Sequence, residues 1–103
     1  MRDLHFVVDE QKITKSENCD FSGIIKGTKG YLRARFAFGP AWKGCKKAAV
    51  FYKLGKEYPI PIKGDCCMIP DEALTYRSFS VYVVGEKEGL RITTNKIEIK
   101  QEE

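Results

Sequence analysis

Histidine is nearly absent from this chain of 103 residues, and its scarcity limits the chemistry that the protein can perform. The only histidine, His5, lies in the first strand-like segment, which predicts an edge or surface position rather than a general base. The neighbouring acids Asp65, Asp71 and Glu72 flank a turn, where carboxylates ordinarily cap the backbone. Cys45 has lysine neighbours but no assignable base. We therefore expect no enzymatic activity and no cofactor.

Long apolar runs are also missing. No segment approaches the roughly 18 apolar residues that a membrane helix needs, and the first residues lack the apolar core of a signal peptide. A hydrophobic fraction of 43% with 31% charged residues is typical of a globular protein. The length suits one core, so we expect a single domain over residues 1–103 that is made in the cytoplasm and makes no membrane contact.

Four cysteines are present, but their spacing favours neither a metal site nor a disulfide framework. Cys66 and Cys67 are adjacent, so on a strand their side chains point to opposite faces and cannot grip one ion together. We expect no bound metal and four reduced thiols, together with Cys19 and Cys45. One of the Cys66 and Cys67 pair should be buried as a small apolar side chain.

The hydrophobic pattern has period two in several short segments, which predicts strands. Leu32, Ala34 and Phe36 alternate with more polar residues, and the alternation stops at Gly39 and Pro40. Turn signals recur every eight to twelve residues, and one helical turn is predicted at 70–74. The expected fold is all-β, an antiparallel immunoglobulin-like β-sandwich of about seven to nine strands. The predicted core is Leu32, Phe36, Phe38, Trp42, Val50, Ile60, Phe79, Val81 and Val83.

Two strands carry more specific signals. Pro59 and Pro61 share one parity and remove ladder donors from one side, which predicts an edge strand. Near the carboxyl end, Leu90 and Ile92 have one parity while Ile97 and Ile99 have the other, so a bulge or a change of sheet is expected around residues 93–95. We expect the remaining strand edges to be less protected. Contacts are then predicted at the opposite sheet edge and at the loops 27–30 and 86–89.

The positive charge is concentrated in residues 43–63, which contain six lysines and one acid. This segment has no arginine, and its aromatic residues do not interleave with the lysines on one clear face. We therefore do not expect nucleic-acid binding, and we favour a solvated lysine face over a functional patch. Trp42 is more typical of a plug at the end of a core than of a stacking platform. If a surface does bind a partner, its candidate residues are Trp42, Lys43, Lys46, Lys47 and Tyr82.

An ordered series of short patterns resembles one known family. These patterns are Phe36-x-Phe38, Trp42-x-Gly44, Ile69-Pro70-x-Glu72, Gly85 after a Val-x-Val strand, and Thr93-Thr94-Asn95. In this order they resemble the small immunoglobulin-like structural domains of tail and baseplate proteins from phages and prophages of Gram-positive bacteria. The resemblance covers about residues 31–99, roughly two thirds of the chain.

The resemblance implies a non-catalytic virion component. It would pack into a tail, a baseplate or a head surface through contacts with other phage structural proteins or with itself, first in the host cytoplasm and then in the virion. A stand-alone assembly or adaptor module is expected rather than a whole fibre. The alternative is a carbohydrate- or receptor-binding module, whose exposed aromatic side chains would stack on a host cell-surface glycan. A small nucleic-acid-binding barrel is the least favoured reading.

Overall fold

The protein is described here by a computed structural model of residues 1–103, in which nine strands form two sheets. The strands are β1 (Arg2–Asp9), β2 (Lys12–Lys15), β3 (Leu32–Phe38), β4 (Lys46–Lys53), β5 (Lys56–Pro61), β6 (Cys66–Met68), β7 (Ser78–Lys87), β8 (Leu90–Thr93) and β9 (Ile97–Lys100). The first sheet has the order β2-β1-β3-β6, and the second has the order β5-β4-β7-β8, with β9 also paired to β7. The expected all-β class and the strand number are confirmed.

Two short 3-10 turns connect strands where the sequence predicted one helical turn. The turn at Ala73–Thr75 overlaps the predicted segment, whereas the turn at Pro40–Trp42 was not predicted as helical. Pro40 occupies the first turn of the latter, where its missing N–H costs nothing. Neither helical segment has the length and apolar character needed to cross a membrane.

The expectation of a purely antiparallel fold is wrong for one strand pair. β1 and β3 are parallel over seven residues, from Arg2 opposite Leu32 to Val8 opposite Phe38. The cause is the connection formed by residues 16–31, which returns the chain to the end of the sheet at which β1 begins. The Arg2 side chain holds this connection by donating to the carbonyl oxygens of Asp20, Ser22 and Gly23 at 3.0, 2.6 and 3.1 Å.

The core lies between the inner faces of the two sheets. Six of the predicted core residues belong to its buried cluster: Leu32, Phe36, Trp42, Phe79, Val81 and Val83. Phe38 and Ile60 are only partly buried against this cluster. Val50 is 6% exposed. Its neighbours on β4, Ala49 and Phe51, point into the core, so by alternation Val50 points to the outer face of the second sheet. The predicted burial of Val50 is confirmed, although Val50 is not a member of the cluster between the sheets.

The predicted bulge lies between β8 and β9. Val84 pairs with Thr93 and Val81 pairs with Ile97, so three residues of one strand oppose two of the other. The extra residue restores the parity, and both Ile92 and Ile99 contact the core. At this bulge Asn95 bridges the sheets, since its side-chain amide accepts from the Ile13 N–H at 2.9 Å and donates to the Ile13 carbonyl at 3.3 Å.

The sheet edges are better protected than the sequence suggested. The Ile62 N–H donates to the Lys47 carbonyl on the neighbouring strand β4. Because backbone donors alternate in direction along a strand, the backbone nitrogens of Pro59 and Pro61 point to the unpaired side of β5. The edge prediction for this strand is confirmed, since β5 ends its sheet. At the other edges, β2 is engaged by Asn95, β6 is three residues long, and the bulge interrupts β8 and β9. Strand addition therefore has few open donors and acceptors to use.

Candidate interaction surfaces

Trp42 is an internal plug and not part of any surface. Its side chain is fully buried, and its indole N–H donates to the Glu10 carbonyl at 2.8 Å. The indole also lies 5.5 Å from the Phe38 ring, centroid to centroid. The interpretation of Trp42 as a plug is confirmed. Trp42 is not an interaction residue, because no partner can reach it without unfolding the end of the core.

Lys43, Lys46 and Lys47 lie immediately before and at the start of β4. Lys46 pairs with Glu86 across β4 and β7, on the outer face of the second sheet. Lys47 has the opposite parity, and its Nζ lies 4.9 Å from the centroid of the Phe38 ring at the end of the core. Lys43 precedes β4, and its carbonyl accepts a hydrogen bond from the Lys87 Nζ at 2.8 Å. Lys46 and Lys47 therefore lie on opposite faces of β4, although both line a pocket beside Pro59 and Pro61.

Tyr82 belongs to a polar cluster on the outer face of the second sheet. Its hydroxyl donates a hydrogen bond to the Glu57 carboxylate, and this bond raises the pKa of Tyr82. The Lys96 Nζ lies 4.0 Å from the centroid of the Tyr52 ring and 5.6 Å from that of Tyr82. The ammonium group therefore occupies the space above both rings in which a sugar would stack.

The outer face of the first sheet was not identified as a site by the sequence reasoning. We call it the arginine face, and by parity it comprises Met1, Asp3, His5, Val7, Asp9, Lys12, Thr14, Tyr31, Arg33, Arg35, Ala37, Cys66 and Met68. Four of the seven exposed large hydrophobic residues of the protein lie here: Met1, Val7, Tyr31 and Met68. The available signal was the pattern Tyr31-x-Arg33-x-Arg35, which is consistent with any solvated strand face and so did not stand out.

Asp3 organises the centre of the arginine face. Its Oδ1 accepts from the Arg33 Nε at 2.8 Å, and its Oδ2 accepts from the Arg33 Nη2 at 3.1 Å and the Arg35 Nε at 2.9 Å. These charge-assisted bonds, led by the one from Arg33, lower the pKa of Asp3 to about 2. Asp3 is thus a carboxylate at neutral pH, and one negative charge is shared by two guanidinium groups.

The other residues considered for chemistry are dispersed. His5 is exposed on β1, and Cys66 is partly exposed while Cys67 is buried, as the parity of adjacent residues predicted. No group of three or more histidine, cysteine or acidic side chains is placed to hold a metal ion. Comparison with protein-family models, with curated proteins and with solved structures found no match to this chain.

Proposed function

We propose that the protein is a non-catalytic structural module that packs into a larger assembly through protein–protein contacts. The observation that carries this proposal is the concentration of exposed apolar side chains on the arginine face, in a fold whose strand edges are guarded. Patches of this kind, combining aromatic residues, methionine and arginine, are typical of protein interfaces. A rigid two-layer β fold presents such a face without any need to move.

The biological setting that we propose is the tail, baseplate or head surface of a phage or prophage, with an immunoglobulin-like fold for the module. This setting rests on the resemblance of the ordered sequence patterns. Several residues of those patterns have structural roles here, since Trp42 fills the end of the core, Gly85 makes room for its ring and Asn95 joins the sheets. Residues with packing roles of this kind are the ones that we expect in the sequence signature of a fold. The protein would then function in the host cytoplasm during assembly and afterwards in the virion.

A glycan-binding role is less well supported by this geometry. Trp42 is buried, and Lys96 covers the rings of Tyr52 and Tyr82, so the aromatic platform that sugar stacking needs is not free on the second sheet. Nucleic-acid binding has little support, because Lys46 and Lys47 lie on opposite faces of β4 and residues 43–63 contain no arginine. No contact or surface in the structure specifically favours glycan binding or nucleic-acid binding.

The test is co-purification of the full chain with the products of adjacent phage tail genes, combined with light scattering across a concentration series. We expect either a defined complex with a tail product or self-association that rises with concentration. A strictly monomeric protein that ignores those products would contradict the proposal. Binding to purified cell-wall glycan, lost in Tyr82→Ala, would instead favour the carbohydrate role.

A further inference from the structure

The two arginines of the arginine face have unequal numbers of free donors. Arg33 forms a fork with both oxygens of Asp3, whereas Arg35 uses only its Nε. No hydrogen-bond partner within the protein engages the two terminal nitrogens of Arg35, and its side chain is 41% exposed. Because the Nε of Arg35 is hydrogen-bonded to Asp3, its two Nη groups point away from Asp3 and are free to bind a second carboxylate.

The ion-paired cluster of Asp3, Arg33 and Arg35 carries a net positive charge. Asp3 supplies one negative charge against two positive charges, the register places the exposed His5 beside Arg35, and Asp65 lines the same pocket as Arg35 and His5. A carboxylate of a partner would therefore neutralise the remaining positive charge of the Asp3, Arg33 and Arg35 cluster, while a positively charged partner group would be repelled.

Apolar side chains flank the arginine pair. Met68 is directly opposite Arg33 on β6, and Tyr31 precedes Arg33 on the same face of β3. Met68 and Tyr31 are 37% and 49% exposed, which leaves apolar area at the Arg33 end of the pair, whereas Arg35 is opposite Cys66 on β6 and His5 on β1. Central strands β1 and β3 carry no lysine, so the centre of this face has the composition of an interface rather than that of a solvated surface.

We propose that the arginine face docks an acidic segment of a partner protein, with a partner carboxylate on the two Nη groups of Arg35 and an adjacent apolar side chain on Met68 and Tyr31. The proposal rests on the proposed function and specifies the chemistry of its partner. Asp3 acts as a positioning residue, since it holds both guanidinium groups flat and fixes their direction before the partner arrives. Inorganic phosphate shares the negative charge but lacks the apolar group that this surface complements.

The probe is the peptide acetyl-Leu-Glu-Leu-Glu-amide, added to the isotope-labelled full chain and followed by NMR. We expect shift changes at the Arg35 side chain, the Met68 methyl group and the Tyr31 ring. The glutamine counterpart, acetyl-Leu-Gln-Leu-Gln-amide, should bind roughly tenfold more weakly because it lacks the charge. Equal binding of the two peptides, or shift changes confined to the lysines of residues 43–63, would overturn the proposal.

Variants separate the guanidinium from general charge. Arg35→Gln should weaken peptide binding roughly tenfold, and Arg35→Lys should restore only part of it because an ammonium cannot form the end-on fork. Arg91→Gln is the matched control, since Arg91 is an exposed arginine paired with Glu86 on the second sheet. Arg33 forms its fork with Asp3 independently of Arg35 and should keep it in these variants, and an unchanged spectrum outside the arginine face verifies the fold.

Two outcomes separate this inference from the proposed function. If wild-type protein and Arg35→Gln co-purify equally with tail products, the function stands and the docking proposal fails. If no tail product binds the wild-type protein and it remains monomeric, both fail. Inorganic phosphate that produces the same shift changes as the peptide, at equal concentration, would indicate a general anion site and would also overturn the docking proposal.

Discussion

Gly85 lies directly against the Trp42 indole, with room for a hydrogen but not for a methyl group. A Cβ built on Gly85 would lie 2.7 Å from Cζ3 and 2.8 Å from Cε3 of Trp42, and 3.2 Å from the Cβ of Cys45. Gly85 continues the inward row of Val81 and Val83 on β7, so its missing side chain forms the seat of the plug. The contact explains why glycine is needed at this point of an otherwise β-branched strand.

Gly85→Ala should therefore destabilise the fold by about 1 to 3 kcal/mol through overpacking. Urea unfolding followed by circular dichroism measures the change in every variant, including those that lack the only tryptophan. Ser80→Ala, on the outward side of the same strand, is the control and should shift stability by about 0.5 kcal/mol or less. Adding Trp42→Phe should recover part of the loss in a double-mutant cycle. Strict additivity of the two changes would show that they do not share the contact.

Truncation of the plug itself should cost more. Trp42→Ala removes a fully buried side chain and leaves the Glu10 carbonyl without its donor, so we expect a loss of about 3 to 5 kcal/mol. Phe36→Ala should cost a similar amount, since Phe36 is 5% exposed and stacks with Phe6. Thermal and urea denaturation provide the measurements. A loss below about 1 kcal/mol for Trp42→Ala would contradict its role as a plug.

The bridge between Asn95 and Ile13 joins the two sheets at their shared side. Asn95→Ala removes two hydrogen bonds to the Ile13 backbone and should cost about 1 to 3 kcal/mol. Hydrogen exchange at the Ile13 amide should become faster in this variant than in the wild type. Asn18→Ala, in an exposed part of the connection between β2 and β3, is the control and should leave that exchange unchanged. Unaltered protection of Ile13 in Asn95→Ala would show that the bridge is not needed.

Asp3 should make the protein sensitive to acid. Its pKa is about 2 in the folded protein against an ordinary value of 3.8, so its ionised form favours folding at all pH values above that ordinary value. The contribution is lost as the pH falls from about 4 to about 2. Melting temperatures across this range should fall less steeply for Asp3→Asn than for the wild type. Equal slopes, or a carboxyl titration of Asp3 by NMR near 3.8, would contradict the ion-pair geometry.

The four cysteines should differ in reactivity. Cys67 is 7% exposed, and burial raises its pKa to about 12, so its thiolate is scarce at neutral pH. Cys66, its neighbour on the outer face, is partly exposed together with Cys19 and Cys45. Labelling with iodoacetamide under native conditions, read by mass spectrometry, should modify Cys67 last. Early modification of Cys67 would show that β6 opens readily from the sheet edge.

The sequence by itself determined the β class, the edge position of Pro59 and Pro61, the bulge before Ile97 and the burial of Trp42. Each of these follows from local rules, since alternation fixes the face of a residue and proline removes a donor wherever it stands. A parity conflict within one strand predicts either an extra residue or a change of sheet, and the structure shows the extra residue. These features are readable because their physical cause lies within a few residues.

Only the tertiary structure decided which faces the strands share and which neighbours they have. The parallel pairing of β1 with β3 brings Asp3 between Arg33 and Arg35, which are 30 and 32 residues away in the chain. Val50 belongs to an apolar strand with two similar faces, so local alternation did not reveal which face meets the core. The candidate surface was therefore missed because long-range pairing, rather than local pattern, creates it.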